Sequence, residues 1–125
     1  MGGEGGRTHF KTVLVVDDER SLRLLCRVNL ELEGHRVLEA ATLAEARALV
    51  EQEAPDVILL DVHLGNDDGL ELLDELEALD VPTRIVLLSG TSEIGPELRA
   101  RVAGVIGKPF DLKRLTAAVS GATLR

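Results

Sequence analysis

KTVLVVDDER, residues 11 to 20, runs four apolar residues, Val13 to Val16, straight into three acids, Asp17, Asp18 and Glu19. A strand that is apolar on both faces belongs in a parallel sheet covered on both sides. Acids crowded at its end repel one another and lose water, so one or more of their pKa values rises unless a cation sits among them. The stretch therefore asks for a buried strand with a positive partner at its carboxyl end.

Outward from it, two further runs are continuously apolar, Val57 to Leu60 and Ile85 to Leu88. His35 to Ala40 and Val105 to Ile106 are shorter or more polar and read as edge strands. Between these runs the apolar residues take a helical period. Leu22, Leu25, Val28 and Leu32 form one predicted stripe, Leu43, Ala46 and Val50 a second, and Leu70, Leu73, Leu76 and Leu79 a third. Thr42 with Glu45 and Asp68 with Glu71 have the spacing of capping boxes. Asp111 is the expected N-cap of a last helix over residues 112 to 119, with Phe110 and Leu115 spaced as a hydrophobic staple. Five strands alternating with helices predict an α/β fold, an open parallel sheet with right-handed crossovers and helices on both faces.

The 125 residues make one domain, 45% hydrophobic and 29% charged, with no apolar run long enough to span a membrane. Fourteen basic against 22 acidic residues give a net charge of -8, which argues against nucleic acid and anionic membrane surfaces and favours metal cations or basic partners. The single cysteine, Cys26, excludes an internal disulfide and, with no apolar signal core at the N-terminus, predicts a cytoplasmic location. Residues 1 to 9 hold four glycines in their first six positions and read as a flexible tail before a domain over residues 10 to 125.

Ligands of open α/β sheets bind beyond the carboxyl ends of the strands. There the chain places Asp17 and Asp18, Asp61, Ser89 and Lys108, after the first, third, fourth and fifth apolar runs. Three carboxylates, a hydroxyl and an ammonium make a hard, oxygen-rich site suited to Mg²⁺, with water and phosphate oxygens completing its shell. Taken alone, Asp18 would read as a helix N-terminal acid, Asp61 as a loop cap and Lys108 as a surface lysine. His63 has no second histidine or cysteine at ligand spacing, so its imidazole is expected to face solvent rather than hold zinc.

The segments VLVVDDE, VILLDVHLGNDDG, VLLSG and GKPF, in that order, resemble the CheY-like receiver domain of response regulators over residues 11 to 120. The resemblance implies a flavodoxin-like, doubly wound five-stranded sheet in the order 2-1-3-4-5 with five helices. It implies that Asp61 is the phosphoacceptor, served by a sensor histidine kinase or a histidine phosphotransferase in a two-component phosphorelay. Asp18 would then bind Mg²⁺ directly, Asp17 largely through water, and the backbone carbonyl of His63 would complete the protein ligands. Lys108 and Ser89 would hold phosphoryl oxygens, the Lys108-Pro109 bond would be cis, and Gly69 would let the chain turn into the third helix. Such a domain is not an enzyme in the usual sense, although it assists its own phosphorylation and dephosphorylation. Its output would pass by contact to a downstream protein, whether the domain stands alone or is excised from a longer chain.

Two other functions use similar residues. A phosphatase of the haloacid-dehalogenase type also needs a carboxylate nucleophile and Mg²⁺, but places it in a D-x-D after the first strand, where this chain has DDE. A pseudo-receiver would keep the fold as a non-phosphorylated interaction module. One departure from the family concerns the switch. Three residues before the lysine, where receivers commonly carry an aromatic ring, stands Val105, and Gly95-Pro96 predicts a short fourth helix. The face of helix four, strand five and helix five, with Arg99, Arg101, Lys113 and Arg114, is expected to be less acidic than the rest.

Overall fold

The computed structural model describes residues 10–90, 94–109 and 111–121, so the expected tail, Thr91 and the staple residue Phe110 lie outside it. Its main sheet has five parallel strands, β1 (Thr12–Val16), β2 (Arg36–Ala40), β3 (Val57–Asp61), β4 (Arg84–Ser89) and β5 (Gly104–Gly107), in the order β2-β1-β3-β4-β5. Five helices alternate with them: α1 (Arg20–Leu32), α2 (Leu43–Glu53), α3 (Leu70–Leu79), α4 (Pro96–Arg99) and α5 (Leu112–Ser120). This is the flavodoxin-like arrangement, and its two less apolar strands are the edges, as predicted.

Side chains of successive strand residues point to opposite faces, and the two cores follow that alternation. Val13, Val15, Leu59 and Leu88 pack with Cys26 and Leu30 of α1 and with Leu115 and Val119 of α5. On the other face Leu14, Val16, Ile58, Leu60 and Leu87 pack with Leu43 and Ala46 of α2 and with Leu72, Leu73 and Leu76 of α3. Each fully buried leucine contributes about 1.5–3 kcal/mol relative to an exposed one. The central strands are apolar throughout because both faces need such partners.

The stripe predicted for α1 is wrong. Leu25, Val28 and Leu32 are exposed, at 44%, 47% and 80%, while Cys26 and Leu30 are the buried pair. The helix is rotated because Arg23 is drawn inward, its Nη1 donating to the Asp17 carbonyl at 2.8 Å and its Nε to Glu39 Oε1 at 3.1 Å. Small Cys26, one turn on, then lies against the sheet. In α3 the stripe holds for Leu73 and Leu76 but not for Leu79, which is 69% exposed where Asp80 turns the chain out of the helix with φ of 55°.

Of the Thr42–Glu45 box the cap forms, with Glu45 N donating to Thr42 Oγ1 at 3.1 Å, while the Glu45 carboxylate reaches one residue further back and accepts from Ala41 N at 2.7 Å. Asp111 caps α5 by accepting from Lys113 N at 2.8 Å. The Asp68–Glu71 box does not form as predicted. Gly69 is the N-cap of α3, and Asp68 Oδ1 accepts from Leu70 N at 2.9 Å, an Asx turn that precedes the helix. Helix α4 is a single turn with Pro96 at its start, as Gly95-Pro96 predicts.

At the amino-terminal end of the sheet, buried His35 accepts a hydrogen bond at Nδ1 from Lys11 N at 3.0 Å. Burial pushes the His35 pKa below its ordinary value, against the opposing pull of Glu33. The unfolded chain then binds the proton more readily, so stability held above the unfolded pKa of about 6.5 is lost as pH falls through it. Urea midpoints should drop between pH 7.5 and 5.5, and by less in His35→Gln, which has no proton to take up. Equal drops in the two proteins would remove His35 as the cause.

Candidate functional site

The carboxyl ends of β1 and β3 bring the acids together. Asp17 is fully buried, and each of its polar atoms has a partner. Its N donates to Ala40 O at 3.1 Å, its carbonyl accepts from Arg23, Oδ1 accepts from Glu19 N at 2.9 Å, and Oδ2 meets Lys108 Nζ at 2.8 Å. Asp18, next in the chain, is exposed. Asp17, Asp18 and Asp61 each offer a carboxylate oxygen, and the three oxygens lie within 4.8 Å of one another. An all-oxygen donor set of this size fits a hard divalent cation.

Asp61 ends β3 and is 5% exposed. Its Oδ1 accepts from His63 N at 3.1 Å, and its Oδ2 lies 3.2 Å from Lys108 Nζ. Burial raises its pKa above the usual carboxylate value and Asp17 adds to the rise, while the His63 N–H and Lys108 act against it. Lys108 reaches both acids from the loop after β5. Burial disfavours its ammonium, but Asp17 and Asp61 outweigh that cost and its pKa is raised. The cation that the sequence demands among its acids is thus supplied in part by the chain itself.

Ser89, the last residue of β4, is 1% exposed at the same sheet edge, and its carbonyl accepts from Lys108 N at 2.7 Å. The Lys108-Pro109 bond is cis, as the resemblance implies. His63 is exposed, in a two-residue antiparallel pairing of His63–Leu64 with Asp67–Asp68 that no sequence signal foretold. Val105 is half-buried in β5, so this strand carries no aromatic ring at the switch position.

Two expectations change. Gly69 has φ of -58°, which any residue adopts, so the chain does not need glycine for its turn. It needs the space, because a Cβ there would collide with the backbone carbonyl oxygen of Asp61. Arg101 does not join the face of α4, β5 and α5 as a free charge. It is turned to α3, where it holds Asp74 and Glu77. Cys26, 0% exposed and with its thiol pushed up to about 12 by burial, is a core residue. Arg23 is the residue near the site that sequence reasoning missed. Its only signal is an arginine four positions after Glu19.

The family model of the response regulator receiver domain matches residues 13–120. Sporulation initiation phosphotransferase F of Bacillus subtilis is 29% identical over 86% of this chain and 89% of its own length. The phosphate regulon transcriptional regulatory protein PhoB of Pseudomonas aeruginosa is 36% identical over 86% of this chain and 49% of its own. The chain thus spans about half the length of that relative and of several other transcriptional regulators it matches. The crystal structure of the receiver domain of NtrX from Brucella abortus superposes with a TM-score of 0.80 at 34% identity, covering 88% of this chain and 96% of that one. With three acids, a serine and a lysine gathered at one sheet edge, the chain belongs to the receiver domain family of two-component response regulators.

Proposed function

We propose that this chain is a phosphoacceptor in which Asp61 takes a phosphoryl group from the phosphohistidine of a sensor histidine kinase or a histidine phosphotransferase. The supporting observation is the approach of Asp17, Asp18 and Lys108 to Asp61. A carboxylate oxygen of Asp61 forms the new bond to phosphorus as the bond from phosphorus to the donor imidazole breaks, and the imidazole nitrogen leaves with the electron pair. No separate base is needed, because a carboxylate attacks as the anion and has no proton to lose. Lys108 neutralises one phosphoryl oxygen as a point charge, and the Ser89 hydroxyl donates to another. Bound Mg²⁺ would neutralise phosphoryl charge, held by Asp17, Asp18, Asp61 and the His63 carbonyl. Hydrolysis of the acyl phosphate returns the free carboxylate, so the chain takes part in both its phosphorylation and its dephosphorylation.

Leu24, Leu25, Val28 and Leu32 form an exposed apolar face on α1, which begins two residues after Asp18. A helical donor would rest there, and a downstream protein would read the phosphorylated state by contact in the cytoplasm. Among the described residues, no helix is long and apolar enough to cross a membrane.

Intact mass after incubation with acetyl phosphate and Mg²⁺ tests the proposal, with a gain of one phosphoryl group expected. No gain would leave the non-phosphorylated interaction module as the better reading. Mg²⁺ alone should also raise the melting temperature, since it relieves repulsion among Asp17, Asp18 and Asp61. At about ten times its dissociation constant it stabilises the fold by about 1.4 kcal/mol. An equal shift in Asp18→Ala would count against a site built on these acids.

A further inference from the structure

We propose that Arg23 is a positioning residue for the acidic site, setting the β1–α1 loop so that Asp18 presents its carboxylate to the metal. The inference rests on the metal-binding reading above and concerns a residue outside the acids, the serine and the lysine. Arg23 fixes the loop through its side chain, whose guanidinium Nη1 donates to Asp17 O at 2.8 Å, next to the first-turn helix bond from its backbone N to Glu19 O at 3.1 Å. Asp18 lies between those two carbonyls, with an exposed side chain. Its placement therefore depends on the backbone that Arg23 pins.

The guanidinium is itself fixed from the far side. Glu39, on edge strand β2, accepts from Arg23 Nε at 3.1 Å through Oε1 and from Arg27 Nη1 at 2.8 Å through Oε2. The Arg23 side chain is 14% exposed, and that of Glu39 is 24%. A half-buried, two-sided contact of this kind orients a planar guanidinium, where an ammonium would act as a point charge. Asp17 N is bonded to Ala40 O, the residue after Glu39, so β2 steadies the loop by a backbone bond and by this side-chain bracket. Groups behind a metal's ligands orient them in this way, and their loss weakens binding without removing a ligand.

Positioning and simple charge predict opposite signs. Removing a cation from beside three acids should tighten Mg²⁺ binding by Coulomb's law, whereas removing a loop brace should weaken it. The test is Mg²⁺ titration of the full chain by calorimetry, with initial rates of acetyl phosphate labelling over a Mg²⁺ series. Arg23→Met keeps the apolar stem and deletes the donors. It should weaken Mg²⁺ binding by roughly three- to tenfold, at or below the low end of what such outer contacts cost. The labelling rate at saturating Mg²⁺ should change less than the affinity. Arg23→Lys, which keeps the charge but cannot bracket Glu39 and the Asp17 carbonyl together, should recover only part of the affinity.

Asp18→Asn is measured beside them. If it weakens Mg²⁺ binding while Arg23→Met leaves it unchanged or tighter, the positioning role is overturned and the metal site stands. If neither substitution affects binding, the metal-site reading falls and the role of Arg23 falls with it. Should Arg23→Met fail to fold by circular dichroism, Arg23→Gln, neutral and too short to span Glu39 and the Asp17 carbonyl, carries the same expectations.

Discussion

Asp61→Asn should take up no phosphoryl group from acetyl phosphate in Mg²⁺, a fall of at least about a thousandfold from the parent rate, because the proposed nucleophile is gone. Asparagine matches aspartate in shape, so His63 N can still donate to its side-chain oxygen as it does to Asp61 Oδ1. Loss of labelling through unfolding is separable by a sign argument. The Asp61 pKa is raised, chiefly by burial and then by Asp17, so its ionised form is less favourable in the fold than in the unfolded chain. Neutralising it should leave the metal-free melting temperature unchanged or higher. Labelling at the parent rate in a folded Asp61→Asn protein would move the phosphoryl group to another residue. A melting temperature well below the parent's would show that the Lys108 contact at 3.2 Å outweighs the desolvation of the carboxylate.

What the sequence disclosed and what it hid have physical causes. The sheet was legible because its central strands are apolar on both faces, a pattern that exposed segments do not share. The site was legible because chemistry in this architecture collects at strand ends, and a charged residue there is conspicuous against an apolar run. The face of α1 was not. Its sequence RSLRLLCRVNLEL offers apolar residues around most of the helix, so periodicity cannot say which arc meets the sheet. The choice is made by Arg23, whose polar contacts with Asp17 and Glu39 depend on where three separate segments meet. Arg101 escaped for the same reason, since its partners Asp74 and Glu77 lie in α3, far from it in the chain. Local signals such as the Thr42 and Asp111 caps were readable, because donor and acceptor are two or three residues apart.

Gly69 joins the fold to the site, and Gly69→Ala should damage both. Its backbone, at φ of -58° and ψ of -24°, is open to alanine, so conformational strain is not the issue. The obstruction is steric. Gly69 is buried against the end of β3, and its N donates to Val62 O at 2.7 Å. A methyl group in that place would overlap the Asp61 carbonyl oxygen and press within 3.2 Å of Val62 O. Backbone atoms at the end of a central strand cannot swing aside as a flexible side chain would. The start of α3 must therefore move off the sheet, or Asp61 must move with its carbonyl. Overpacking of this kind costs about 1–3 kcal/mol, to be read as a lowered urea midpoint with an unchanged slope. Because the displaced carbonyl belongs to Asp61, the proposed phosphoacceptor, labelling by acetyl phosphate should fall by up to about a hundredfold, as a misplacement of about 1 Å can do. A smaller Mg²⁺-induced rise in melting temperature should accompany it, since Asp61 is one of the three clustered acids. Normal labelling in a destabilised Gly69→Ala protein would mean that α3 absorbs the clash alone, and normal stability would mean that the loop after Asp61 has room this structure does not show.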